Sequence, residues 1–187
     1  FEAVALKQWA TLTPQGVCNT FYGLCSMGLR PHTEYLERLT EYLRTRLHLL
    51  DDHNLVHILT GWTRLGLQPP SDVITNLAKL AFSSMHKYDP RRLSGITYAL
   101  SQLGFAPDSS FFDAAAARLL QALERKQVNA FSISCFLSSV ARTCVSLSDD
   151  TLSALTDCLV TLASTNDPDF GMGRPEEHMP CDFVDVL

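Results

Sequence analysis

His53 and His57 lie four residues apart, with Asp51 and Asp52 beside them. Two imidazoles one helical turn apart are half of a zinc site. The other half is missing, because Asn54 rather than glutamate follows His53 and no third ligand has an obvious place. A surface pair at a helix start is the expectation, and no metal. The six cysteines (Cys18, Cys25, Cys135, Cys144, Cys158 and Cys181) form no C-x-x-C pair and show no zinc spacing. They read as small buried apolar side chains of a reducing compartment. No phosphate-binding glycine loop is present, since Gly171-Met172-Gly173-Arg174 is too short and follows no strand. No nucleophile elbow surrounds any serine. With no acid, base and oxyanion site assembled, the sequence leads us to expect neither catalysis nor a cofactor nor a small-molecule substrate.

The side chains left to work with are planar, amide and cationic, and their use depends on the elements that hold them. Three segments share one frame: Tyr22 to Pro31, Thr60 to Pro69 and Tyr98 to Pro107. Gly28, Gly66 and Gly104 are 38 residues apart, as are Pro31, Pro69 and Pro107. A fourth, degenerate copy runs from Ile133 to Leu147 at a spacing of 40, with Cys144 in the glycine column and Leu147 in the proline column.

Each period reads as two helices. The first, A, starts behind Thr13, Asp51, Asp89 or Asn129, all good N-cap types, and Pro14 and Pro90 follow at the first helical position. Its apolar columns are Val17/Leu55/Leu93/Ile133, Thr20/Ile58/Ile96/Phe136, Leu24/Trp62/Leu100/Val140 and Met27/Leu65/Leu103/Thr143, spaced as one helical face. Glycine in the left-handed conformation ends helix A, and proline three residues later prevents its resumption. The second helix, B, is expected to be capped at Thr33, Ser71, Ser109 and Asp149. It buries Leu36/Ile74/Phe112/Leu152, Leu39/Leu77/Ala115/Leu155, Leu43/Ala81/Leu119/Leu159 and Leu47/Met85/Leu123/Ala163.

No strand alternation appears, so the expected class is all-α. One hairpin cannot bury its own apolar face, whereas stacked hairpins can. The expected architecture is a right-handed α-solenoid of tandem antiparallel hairpins with a period of 38 residues. Residues 1–12 read as the second helix of a truncated preceding repeat, with Phe1, Ala5 and Trp9 in frame. Repeats follow at 13–50, 51–88, 89–128 and 129–165, the last degenerate. Asp167-Pro168 resembles a further cap, but no periodic helix follows it, and 166–187 reads as an acidic tail or linker containing glycine and proline. Because the chain begins with Phe1 in mid-repeat, a targeting segment is expected to lie outside it. No apolar run is long enough for a membrane-spanning helix.

The net charge is −5, yet residues 1–163 hold 14 acids and 14 bases, so the whole imbalance sits in the tail. The A helices carry Arg64, Arg91, Arg92 and Arg142 against Asp52 alone. That sign suits a phosphate path. Polar A-helix columns add Asn19/His57/Gly95/Cys135, Tyr22/Thr60/Tyr98/Ser138 and Ser26/Arg64/Gln102/Arg142. Aromatic rings stack on splayed bases, and amides and guanidinium groups bond base edges. The candidate RNA-contact set is Asn19, Tyr22, His57, Arg64, Arg91, Arg92, Tyr98, Gln102 and Arg142. The plainer reading of the same columns is the solvated side of each helix, with Tyr22 and Tyr98 as half-buried packing residues.

The pattern Tyr98-Ala99-Leu100 followed by Leu103-Gly104 and Pro107, within the best copy from Leu93 to Asp108, resembles octotricopeptide repeats and the related heptatricopeptide and RAP-protein arrays of organelles. The resemblance covers residues 1–163, and Asn19 fits a commonly polar position of the first helix. The 38-residue step and the L-G-h-x-P turn separate it from the shorter steps of tetratricopeptide and pentatricopeptide arrays. The fourth copy departs by lacking both glycine and proline, and no RAP domain is visible. What the resemblance implies is organellar RNA work, mitochondrial ahead of plastid: transcript stabilisation, processing, translation, or a place in a mitochondrial ribosome. It also implies A helices lining an inner surface that reads single-stranded or ribosomal RNA, among neighbouring proteins of a ribonucleoprotein assembly. The alternative is a protein–protein scaffold of a large organellar complex without RNA contact.

Overall fold

The computed structural model describes residues 2–164. Phe1, Cys181, the Asp167-Pro168 pair and the whole stretch read as a tail lie outside the described residues. Those described form helices and turns, with no strand among them, so the fold is all-α. The chain divides into two compact units, Phe1–Ser84 and Met85–Leu187.

The first unit holds α1 (Glu2–Lys7), a 3₁₀ turn (Trp9–Thr11), α2 (Pro14–Ser26), α3 (Thr33–Arg46), a second 3₁₀ turn (Leu47–Leu49), α4 (Asp52–Leu65) and α5 (Ser71–Ser84). The second holds a 3₁₀ turn (Met85–Lys87), α6 (Pro90–Gln102), α7 (Ser109–Glu124), α8 (Ala130–Thr143) and α9 (Asp149–Ser164). The single helix expected over residues 1–12 instead breaks after Lys7. Trp9 turns to meet Tyr35 and Tyr42 edge-on, at centroid distances of 5.3 and 6.3 Å.

The even-numbered helices α2, α4, α6 and α8 are the A helices, and each begins as its sequence dictates. Thr13 Oγ1 accepts from the Gly16 N–H at 3.1 Å, Asp51 Oδ1 from Asn54 at 2.7 Å, Asp89 Oδ1 from Arg91 at 2.8 Å and Asn129 Oδ1 from Ser132 at 3.0 Å. Each such cap is worth about 1 kcal/mol. At the other end Gly28, Gly66 and Gly104 take positive φ (69°, 60° and 70°), and Cys144 adopts the same left-handed turn at 54°.

The B-helix caps differ from expectation. Thr33 and Ser109 are the first helical residues, and the caps are His32 and Asp108. Asp108 Oδ1 accepts from the Phe111 N–H at 3.1 Å, and Ser148 Oγ, not Asp149, accepts from Thr151 at 3.2 Å. The hydroxyl of Ser110 and the Phe111 N–H hold the Asp108 carboxyl below its ordinary pKa. His32 has no side-chain cap bond; Glu2 reaches across from α1, accepting from the His32 N–H and Nδ1, both at 2.7 Å.

Within the first unit α2 packs along α4, and within the second α6 packs along α8. These are the most extensive helix contacts of each unit, while α3 with α5 and α7 with α9 touch less. The column Val17, Leu55, Leu93 and Ile133 is fully buried, as is Leu39, Leu77, Ala115 and Leu155. Burying one such side chain is worth about 1.5–3 kcal/mol. Three column members depart: Met27 at 60% and Leu152 at 43% exposed, and Ala163, also exposed. All three stand near helix ends, where no described neighbour covers them. In the first unit Phe21, Trp62 and Tyr35 form an aromatic cluster, the Phe21 ring lying 5.5 Å from Trp62 and 6.5 Å from Tyr35. The second is centred on Phe111, Phe112 and Phe136.

Candidate nucleic-acid interface

The column Asn19/His57/Gly95/Cys135 was expected on the open side of the A helices. His57, Gly95 and Cys135 lie instead in the α2–α4 and α6–α8 seams, and Asn19 stays exposed as expected. His57 is only 3% exposed and Cys135 is fully buried. His57 Nδ1 donates to Asn19 Oδ1 at 2.9 Å, joining two residues one period apart. A buried imidazole must satisfy its nitrogens inside the fold, and the neighbouring amide supplies one acceptor.

A planar stack continues from that bond. The Tyr22 ring lies 4.4 Å from His57 at an interplanar angle of 10°, and His53 lies 4.1 Å from His57 on its own helix. The Arg64 guanidinium carbon sits 5.4 Å from the Tyr22 centroid. Tyr22 and Arg64 are both half-buried. Asn19, Tyr22, His57 and Arg64 are thus brought together as a packing group of the first unit, with His57 buried, Tyr22 and Arg64 half-buried and Asn19 exposed. His57 is not a surface residue, and Tyr22 already has planar neighbours.

The second unit treats its members differently. Tyr98 is half-buried, and its hydroxyl accepts from Gln102 Nε2 one turn on. Arg91, Arg92 and Arg142 are exposed. Arg91 Nε donates to the Gln127 carbonyl at 2.8 Å, which sets the start of α6 beside the end of α7. There Arg125 and Lys126, both exposed, join it. A count restricted to the A helices misses this pair, because they end a B helix. Their position just past that helix end, one residue before Gln127, was the available signal.

Two shallow grooves, of about 280 and 420 Å³, lie along α3. Of the residues that line them, Thr45 donates its hydroxyl to the Glu41 carbonyl at 2.9 Å and Ser83 to the Leu80 carbonyl at 3.2 Å, while the Tyr42 hydroxyl is buried without a hydrogen-bond partner. Among the described residues no three His, Cys, Asp or Glu side chains gather as a metal site. Burial pushes the thiols of Cys18, Cys25 and Cys135 up to about 12, so these three are inert packing groups. No described helix is long and apolar enough to cross a membrane. Compared with protein-family models and with curated proteins, the chain matches none.

Proposed function

We propose that this chain is a non-catalytic helical-repeat protein that holds single-stranded or ribosomal RNA within an organellar assembly, with a mitochondrial ribosome or a transcript-maturation or translation complex as its setting. The array reading, a right-handed solenoid of antiparallel hairpins stepping by 38 residues, draws support from the starts of α2, α4 and α6 at Pro14, Asp52 and Pro90. It draws more from the shared caps and the left-handed turns that close all four A helices. Within each unit the A helices pack on one another more fully than the B helices do.

The observation that carries the RNA reading is that Arg91, Arg92 and Arg142 remain exposed on α6 and α8, helices that hold no carboxylate. Phosphate contact by such side chains releases counterions, so affinity falls as salt rises. Gln102, beside Tyr98, and the cations of the second unit are the contacts this reading favours. Asn19, Tyr22, His57 and Arg64 serve as a support that fixes the angle between α2 and α4. The organellar setting rests on the resemblance of the repeat alone.

The test is titration of a fluorescent single-stranded RNA pool across a salt series, for the wild type and for a variant with Arg91, Arg92 and Arg142 changed to Glu. Salt-sensitive binding lost in the variant supports the reading. Absence of binding at low salt sinks it and leaves a protein–protein scaffold, a role suited by exposed apolar side chains such as Phe82 (49%) and Val160 (63%).

A further inference from the structure

The edge of the second unit where α7 ends and α6 begins is chemically unlike the rest of that unit. Four cations, Arg91, Arg92, Arg125 and Lys126, are all exposed there, and the carboxylates in the same two segments are Asp89 and Glu124. Asp89 is committed as the cap of α6 through its bond from the Arg91 N–H. The Arg91 side chain spans the two segments through the Gln127 carbonyl, leaving its two terminal nitrogens for another acceptor. Arg118 braces the same side of the unit, donating to the His86 and Tyr88 carbonyls at 2.8 Å each, so the turn leading into α6 is fixed against α7.

Helix stability explains only half of this charge. Arg125 and Lys126 follow the C-terminus of α7, where cations oppose the partial negative charge of the helix end. Arg91 and Arg92 lie in the first turn of α6, where the dipole disfavours them. The Asp89 carboxylate at the cap offsets part of that cost, and an external anion bridging these arginines and the α7 end would offset more. Two features say which kind. Guanidinium groups present paired donors that match phosphate oxygens. In addition, none of the large exposed apolar side chains falls on α6, α7 or α8. A peptide partner needs apolar anchors in the centre of its interface, whereas a nucleic-acid backbone needs charge alone.

We propose that Arg91, Arg92, Arg125 and Lys126 form one phosphate-holding edge, so that an RNA backbone leaves the A-helix surface by crossing the α6–α7 junction. The inference rests on the RNA reading above and adds a B-helix terminus to it. The test uses the whole chain, with fluorescent oligouridylate as probe and oligoglutamate as competitor. The variant is Arg125→Gln with Lys126→Gln, and the charge-matched control is Arg38→Gln with Lys79→Gln on α3 and α5. Both are checked for an unchanged melting temperature. The expected result is about a tenfold loss of affinity at low salt in the edge variant only. Its salt slope should shrink by about 1.4, since each single-strand phosphate contact contributes about 0.7. Equal losses in variant and control, or none in either, overturn the edge while leaving RNA binding intact. Absence of wild-type binding overturns both. Displacement by oligoglutamate at matched charge reassigns the edge to an acidic protein.

Discussion

The A-helix seams of the two units use the same columns with opposite sizes of side chain. In the first, Phe21 of α2 lies over Gly61 of α4 so closely that a methyl group at Gly61 would overlap the ring. In the second, those columns hold Thr97 on α6, with Ala99 and Ser139 at the glycine position of α6 and α8, all buried. The next column repeats the contrast, with Asn19 and His57 bonded across one seam and Gly95 and Cys135 in the other. A large side chain facing none is thus exchanged for small ones facing each other. The lesson is that the same helix pairing can be reached with different seam chemistry. The first unit uses its planar side chains to hold itself together. The second fills these two columns with small ones and keeps Arg91, Arg92 and Arg142 exposed.

That comparison can be broken at Gly61. Gly61→Ala should destabilise the first unit by up to about 2 kcal/mol, since overpacking costs about 1–3 kcal/mol and alanine's helix preference returns about 1 kcal/mol. Adding Phe21→Leu should recover most of the loss in urea denaturation. An alanine variant as stable as the wild type would show that the two seams do not differ in kind.

The turns offer a test of opposite signs. Gly104→Val places a β-branched residue at φ +70° and should cost about 1–2 kcal/mol or more. Cys144→Gly relieves a non-glycine residue at φ +54° and should raise stability by about 1 kcal/mol. Thermal melts of both variants measure the pair, and equal signs would remove the assignment of Cys144 to the glycine column.

The Asn19–His57 bond ranks next. Asn19→Leu should cost about 1 kcal/mol, because it leaves Nδ1 of a buried imidazole without that acceptor. The equivalent change in the second unit, Gly95→Ala, tests packing alone and loses no hydrogen bond.

The smallest effect is one of pH. The Glu2 carboxylate raises the His32 pKa above 6.5, first through its hydrogen bond and then through its charge. A raised folded value means the contribution is full below 6.5 and is lost as pH rises through the folded pKa. The stability difference between wild type and His32→Gln should therefore shrink as pH rises above 6.5 and through the raised folded pKa. A constant difference would mean that Glu2 acts only through the backbone N–H.

Much of this fold was legible because its signals are local. Thr13, Asp51, Asp89 and Asn129 cap helices by bonding N–H groups two or three residues on, and the glycines close the same helices by backbone conformation. Neither event needs a distant partner. The B-helix starts were harder to place. Asp108, Ser109 and Ser110 are all capping types, and only the path of the chain selects which one turns extended. At His32 the deciding group, Glu2, is remote in sequence. The candidate site was legible as a list of residue types but not as a surface.

Sequence alone determined the all-α class, the A-helix boundaries and the positions of the cations, because periodicity, capping chemistry and formal charge belong to the chain itself. Tertiary structure decided which polar residues are buried. His57 looks solvated on its own helix, and becomes interior only when α2 and α4 pack together and its Nδ1 meets Asn19, which itself stays exposed. The same closure joined Arg91 to the end of α7, setting Arg125 and Lys126 beside two arginines that precede them by more than thirty residues.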